Sequence, residues 1–323
     1  MQHPSPDTAR TLGTKPAPRP GAGFAVQLPT PGSRRAGPRW EPYAYLLPAL
    51  LVFTAFVALP IAGGVALSLT AWNGISWDTA TWVGLGNYVD AVNDGRFWTA
   101  FRNNVALIPF FVLLPALLGL IPAALVHQMK LRGAAFFQAG LFLPYIMPGV
   151  LIGVVWRWML NPVFGPVNQT LKRMGFHPPS WLADFTLALP TIGVIGAWAA
   201  YGFCYVVFVA GIEKIPRDLY DAAKLDGAGG WQEFLAVTLP GLRREIAVVL
   251  SVNLINALRA FDVIKATTDG GPGDATSVLA LFMMNSAFGA NQAGYGIAIA
   301  VILAIVTLVL SLLVLRLFGG ADD

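Results

Sequence analysis

Six runs of apolar residues, at about 43–70, 103–127, 134–159, 187–211, 243–265 and 293–317, constrain this chain more than any other feature. Each approaches or exceeds the ~20 residues with which a helix crosses ~30 Å of hydrocarbon. Lipid offers no partner to a backbone N–H or C=O, so spanning segments must be helices or strands of a closed barrel. Barrel strands would alternate apolar and polar side chains, and these runs do not. The expected fold class is therefore all-α: a polytopic membrane protein with six transmembrane helices. Composition agrees, with 56% hydrophobic and 12% charged residues, where a soluble domain carries about a quarter charged. Pro48, Pro60, Pro109, Pro115, Pro122, Pro144 and Pro148 remove backbone donors within the runs and predict kinks.

Lys and Arg set the expected orientation. Arg10, Lys15, Arg19, Arg34, Arg35 and Arg39 precede the first run, and Lys130 and Arg132 separate the second and third. Lys214, Arg217, Lys224, Arg243 and Arg244 lie between the fourth and fifth, and Arg316 closes the sixth. Bases gather on the cytoplasmic side, which places both termini there. The opposite loops carry Trp72, Trp77, Trp82 and Trp181, suited to an outer interfacial belt. The expected organisation is a disordered cytoplasmic tail over 1–42, the membrane domain over 43–318, a cytoplasmic loop within it at 213–241, and a cytoplasmic C-terminal tail at 319–323. No cleavable signal peptide is expected, because the leader lacks an apolar core before Tyr43.

The formal charge of +4 does not point to nucleic acid, since the bases flank apolar runs and no aromatic platform accompanies them. Cys204 is the single cysteine, and His3, His127 and His177 are scattered, so no disulfide and no metal site are expected. No cofactor is expected on this chain. A phosphate-cradling G-x-x-x-x-G-K-[ST] string does not occur in it.

The loop between the fourth and fifth runs is long for a connection between packed helices, and such loops carry function or internal structure. Pro216 suits a first helical turn, Asp218 and Asp221 favour its positive end, and Gly227 offers a stop, which predicts a helix of about 11 residues. Leu219, Ala222, Ala223 and Asp226 share one face, a small-residue stripe that another protein can approach. A second short helix from about Gly230 places Trp231, Phe234 and Leu235 together before Pro240. Periodicity alone equally allows an amphipathic helix resting on lipid headgroups.

Asp221-Ala222-Ala223, Gly227 four residues later and Leu239-Pro240 downstream resemble the "EAA" loop of permease subunits in binding-protein-dependent ABC importers. Asp221 stands where that family usually has glutamate. Phe261-Asp262 and Thr268-Asp269-Gly270-Gly271-Pro272 look like segments of the carbohydrate-uptake permeases, in particular the G-G-P-bearing member of a heterodimeric pair. Val83-Gly84-Leu85-x-Asn87-Tyr88, Leu143-Pro144, Trp181-Leu182 and Gly294-Tyr295-Gly296 extend the resemblance over about 43–317. It implies a bacterial inner-membrane subunit of an ATP-driven sugar importer. The implied partners are a second homologous permease, two ATPase subunits that hold ATP and Mg, and an extracytoplasmic sugar-binding protein. Coupling to the ATPase would fall on Asp218, Leu219, Asp221, Ala222, Ala223, Leu225, Asp226 and Gly227.

Polar residues within a membrane are costly and usually face the bundle interior or an aqueous path. Asn253, Asn256, Arg259 and Asp262 trace one slowly drifting face of the fifth run and form, with Trp198 and Tyr201, the candidate substrate path. Asn253 also sits where similar permeases contact sugar. An ion pair between Arg259 and Asp262 near the outer surface is expected. Glycerol-phosphate or polyol cargo is the alternative within the family. A membrane-embedded enzyme for lipid-linked substrates, with Asp218, Asp221 and Asp226 on a metal, is the alternative outside it, and those three carboxylates do not converge on one helix face.

Overall fold

A computed structural model describes residues 41–129 and 134–318. The expected N-terminal tail up to residue 40, Lys130 with Arg132, and the expected tail at 319–323 lie outside the described residues. The chain divides into two compact units, Met1–Val57 and Ala58–Asp323. In the first, helix begins at Glu41, and the side chains described over 45–57 are all exposed, as suits a surface solvated by lipid.

The elements that matter below are α1 (Tyr45–Leu67), β1 (Thr70–Ala71), β2 (Thr81–Trp82), α2 (Gly86–Asn93) and α3 (Gly95–Leu125). There follow α4 (Ala134–Ile146), α5 (Gly149–Met159), α6 (Pro166–Arg173), α7 (Ala188–Ile212), α8 (Arg217–Leu225) and a helical run α9 over 230–241. The chain closes with α10 (Arg243–Leu258), α11 (Asp262–Thr267), α12 (Leu279–Gly289) and α13 (Ala293–Phe318). Strands are confined, among the described residues, to the antiparallel pair Thr70↔Trp82 and Ala71↔Thr81.

Four helices, α1, α3, α7 and α13, are long and apolar enough to cross a membrane, or five if α4 and α5 count as one span. Among the described residues the third and fifth expected runs are interrupted, and the fifth gives a helix of 16 residues. The third expected run breaks by 100° between Ile146 and Gly149, where Pro148 takes an extended ψ of 137° and starts α5 afresh. The fifth stops at Leu258, and Arg259, Ala260 and Phe261 separate it from α11.

The other prolines are absorbed. Wide π-helical turns at Thr54–Ala58, Pro109–Leu113 and Phe234–Thr238 run up to Pro60, Pro115 and Pro240. A proline cannot donate to the carbonyl four residues back and its ring crowds that carbonyl; an i→i+5 turn relieves both. Pro122 and Pro144 lie inside helices, and α3 remains one helix of 31 residues.

Small residues permit the close crossings. A Cβ on Gly119 of α3 would lie 2.6 Å from Cys204 Cβ of α7, and one on Gly202 would strike the Leu141 carbonyl of α4. Buried Cys204, Tyr205, Phe208 and Ile212 of α7 then pack with Leu242 and Val249, and a second cluster joins Phe97, Val112, Leu254, Leu258, Phe282 and Ile299.

Candidate functional site

The loop after α7 folds into the paired helices that its punctuation predicts. Pro216 occupies the cap position, with φ −58° and ψ 133°, rather than the first turn, so α8 has 9 residues. Its end is a Schellman motif around Gly227, whose φ is +82°. The Ala228 N–H reaches Ala223 O at 2.9 Å and the Gly227 N–H reaches Lys224 O at 3.0 Å. The Gly229 N–H donates to Gln232 Oε1 at 2.8 Å and fixes the start of α9.

Tyr220, which the periodicity argument passed over, docks α8 on α9: it is buried, and its hydroxyl lies 3.2 Å from Thr238 Oγ1. Ala223 turns partly inward with it. Asp218, Leu219, Asp221, Ala222, Leu225, Asp226 and Gly227 remain exposed, Leu225 at 89%. Trp231, also exposed, stacks on Phe234 at 5.4 Å and 22°. Leu219, Ala222 and Leu225 thus form an exposed surface beside Asp218, Asp221 and Asp226.

A cavity of about 620 Å³ lies between α3, α4, α5, α7, α10 and α11. Phe111, Tyr145 and Phe261 give it aromatic walls, and Asn256, Arg259 and Asp262 give it an amide and both signs of charge. Tyr145 is held by stacking on Phe203 at 5.1 Å. The cavity therefore collects Asn256, Arg259 and Asp262 from the expected path and leaves out the other three residues. Asn253 is 1% exposed and donates from Nδ2 to Cys204 Sγ at 3.2 Å, between α10 and α7. Trp198 meets Trp156 edge-on at 5.4 Å, and Tyr201 is half-buried outside the cavity. The expected ion pair is not formed: Arg259 and Asp262 both line the cavity without pairing with one another.

The Gly270-Gly271-Pro272 segment is a tight loop in which Asp269, Gly270, Gly273 and Asp274 all have positive φ. The Thr268 and Thr276 hydroxyls meet at 2.7 Å, and Thr276 Oγ1 donates to Gly271 O at 2.8 Å. Two asparagines of α3 that sequence reading missed hold this loop. Asn103 Nδ2 donates to Asp274 O at 3.2 Å and Ser277 O at 2.8 Å. Asn104 Nδ2 donates to Ala257 O and Leu258 O at 3.2 and 3.1 Å, while its Oδ1 accepts from the Leu279 N–H at 2.8 Å. Phe261 packs against the cluster that contains Leu258 and Leu279, and Asp262 crowds Gly149 so closely that a Cβ there would lie 2.8 Å from Asp262 Cβ.

Further paired motifs meet by the same device. Asn87 Nδ2 donates to Ser68 O and Thr70 O at 2.8 and 2.9 Å, and the Gly294 N–H donates to Trp72 O at 2.9 Å. Asn168, also missed, caps Leu160 and Asn161 carbonyls and accepts from Trp181 Nε1 at 2.7 Å. Tyr295 Oη and Arg96 both donate to Asp94 Oδ2 at 3.2 Å. Partial burial opposes ionisation of Asp94, but the Arg96 side chain and backbone N–H prevail and hold its carboxyl below the usual range. Asp184 is also held low, by the Thr186 hydroxyl and the Thr186 and Leu187 N–H groups.

Apolar helices long enough to cross a membrane, packed around a solute-sized cavity of mixed lining, are the architecture of a multi-pass membrane protein. The chain belongs to the family of binding-protein-dependent transport system inner membrane components, which residues 99–319 match. It is a transport component, not an enzyme. Similar proteins include the probable ABC transporter permease YurN of Bacillus subtilis, 36% identical over 87% of this chain and 97% of that one. The diacetylchitobiose uptake permease NgcF of Streptomyces coelicolor is 33% identical over 94% and 92% of the two chains. A bacterial importer of the acidic polysaccharide alginate shares the fold, with TM-score 0.74 and 23% identity over 88% of this chain and 96% of that one.

Proposed function

We propose that this chain forms half of the translocation path of an ATP-driven sugar importer, paired with a second permease and coupled through α8 to a separate ATPase. The observation that carries the reading is α8 itself: a helix seated by Tyr220, ended by Gly227, and presenting Leu219, Ala222 and Leu225 with no partner within the described loop. Sugar as cargo is supported by relatives named for diacetylchitobiose and for trehalose/maltose uptake. It is supported as well by a cavity that combines aromatic faces with Asn256, Arg259 and Asp262, since sugars present hydroxyl groups around patches of C–H. A structural neighbour crystallised with an oligosaccharide-bound periplasmic protein supports an extracytoplasmic binding protein as partner. In this reading both termini and α8 are cytoplasmic, and two ATPase subunits hold ATP and Mg.

Each residue has a part. Asp218, Asp221 and Asp226 supply polar contacts around the apolar patch on α8. Gly227 stops α8 so that it moves as one rigid piece with α9. The test is ATP-dependent uptake of a labelled sugar panel by the reconstituted complex, comparing wild type with Asp221→Ala and Gly227→Pro. Uptake that fails in both while the protein still inserts supports the reading. Unchanged uptake overturns it.

A further inference from the structure

A second cavity, about 590 Å³, lies where α7 ends at Ile212, α10 begins at Arg243 and α13 ends at Phe318. Among the described residues its wall carries three cations, Lys214, Arg243 and Arg244, and one carboxylate, Glu245. Lys214 Nζ meets Glu245 Oε1 at 3.1 Å, and Arg243 Nη2 donates to Leu317 O at 3.4 Å. The rest of the wall is apolar, from Ile215, Leu219, Val237 and Phe318. Leu219 and Pro216 belong to α8 and its cap, and Val237, Pro240 and Gly241 to α9. A ligand for this site must bring an anion and an apolar tail to the same membrane level.

We propose that the cavity binds an anionic glycerophospholipid, with the phosphate on Arg243 and an acyl chain against Phe318 and Val237. Bases between helix ends at a membrane surface attract anionic headgroups, and the apolar wall adds the selectivity for a lipid that a bare phosphate lacks. The bound lipid would brace the hinge between α7, α8 and α10, so that lipid composition sets how firmly the loop is held. The proposal needs only the membrane level of the three helix ends and stands independently of the cargo and of the ATPase.

The test is native mass spectrometry of the full chain in mild detergent, titrated with phosphatidylglycerol, phosphatidylcholine and inorganic phosphate. Phosphatidylglycerol is expected to bind more tightly than phosphatidylcholine, and Arg243→Gln to weaken it about fivefold, the share of one interfacial charge. Glu245→Gln should tighten it by a similar factor, a gain that misfolding cannot produce. Arg217→Gln removes a neighbouring exposed charge outside the cavity and should change nothing. Equal binding of the two lipids, an equal effect of Arg217→Gln, or displacement of the lipid by inorganic phosphate at matching concentration would each overturn the proposal. Because the assay reads neither uptake nor ATP hydrolysis, its failure is distinct from failure of the transport reading.

Discussion

Asn104→Ala removes an amide from a site with 0% exposure and takes three hydrogen bonds with it. Ala257 O keeps a second donor, the Ala260 N–H at 3.4 Å, but Leu258 O and the Leu279 N–H lose the partner they have. Leaving a buried backbone group unpaired costs roughly 1–3 kcal/mol, so two such groups put the loss at roughly 2–6 kcal/mol. For a chain of this size that converts to an apparent melting shift of roughly 3–9 °C. The assay is built in: Cys204 is the only thiol and is fully buried, so a thiol-reactive fluorogenic maleimide reports loss of packing during a temperature ramp in detergent. Asn103→Ala frees two carbonyls at a more open position and should cost less. A midpoint for Asn104→Ala within about 1 °C of wild type, the scale of an ordinary surface substitution, would refute the reasoning. So would a larger loss for Asn103→Ala.

Leu225→Ser, at 89% exposure, should leave the melting midpoint within about ±0.5 kcal/mol equivalent yet lower ATPase co-purification with the chain. Gly227→Ala meets no atom within 4 Å, so its cost is the strain of φ +82°, about 1–2 kcal/mol, read as a lower midpoint with uptake reduced. Asp94 carries a folded carboxyl pKa below its unfolded value, so its stabilisation is present above the unfolded pKa and is lost as pH falls through the folded one. The midpoint advantage of wild type over Asp94→Asn should therefore be full at neutral pH and disappear in acid. Asn256→Ala should alter the KM for uptake with little change in stability, whereas Trp198→Ala should lower stability by loss of its packing on Trp156, measured by the same ramp.

The spans at α1, α3, α7 and α13 were legible because uninterrupted apolarity leaves a chain in lipid no alternative to helix. The α8–α9 pair was legible because Gly227 and Pro240 punctuate it and the apolar positions keep helical spacing between them. What periodicity could not show is which proline breaks a helix. Pro148 starts a new one at 100°, while Pro60, Pro115 and Pro240 follow π turns that accommodate them, and a sequence writes all four alike. Nor could it separate an amide that lines a cavity from one packed between helices. Asn253 and Asn256 stand three apart on one helix, yet the first is buried against Cys204 and the second lines the cavity. Asn103, Asn104 and Asn168 gave one available clue, an amide in or beside an apolar run, and their acceptors lie on backbone that is distant or irregular.

The family-like motifs thus divide by physical task. Asn87 with β1, Gly294 with Trp72, Trp181 with Asn168, and the G-G-P loop with Asn103 and Asn104 all join chain ends and turns through amides and carbonyls. Such bonds are strong only where water is excluded, and each fixes irregular backbone that helix geometry alone would leave unpaired. Arg259 and Asp262 belong to the opposite case, charges in a cavity with no ion pair between them, at the break between α10 and α11. Holding two charges inside a bundle without pairing them with one another costs stability, and a cavity that tolerates this is open to a ligand able to offer both a donor and an acceptor. A sugar with neighbouring hydroxyls meets both demands at once. A purely anionic cargo would satisfy Arg259 and oppose Asp262, so the charge pattern favours the neutral reading of the cargo over glycerol-phosphate.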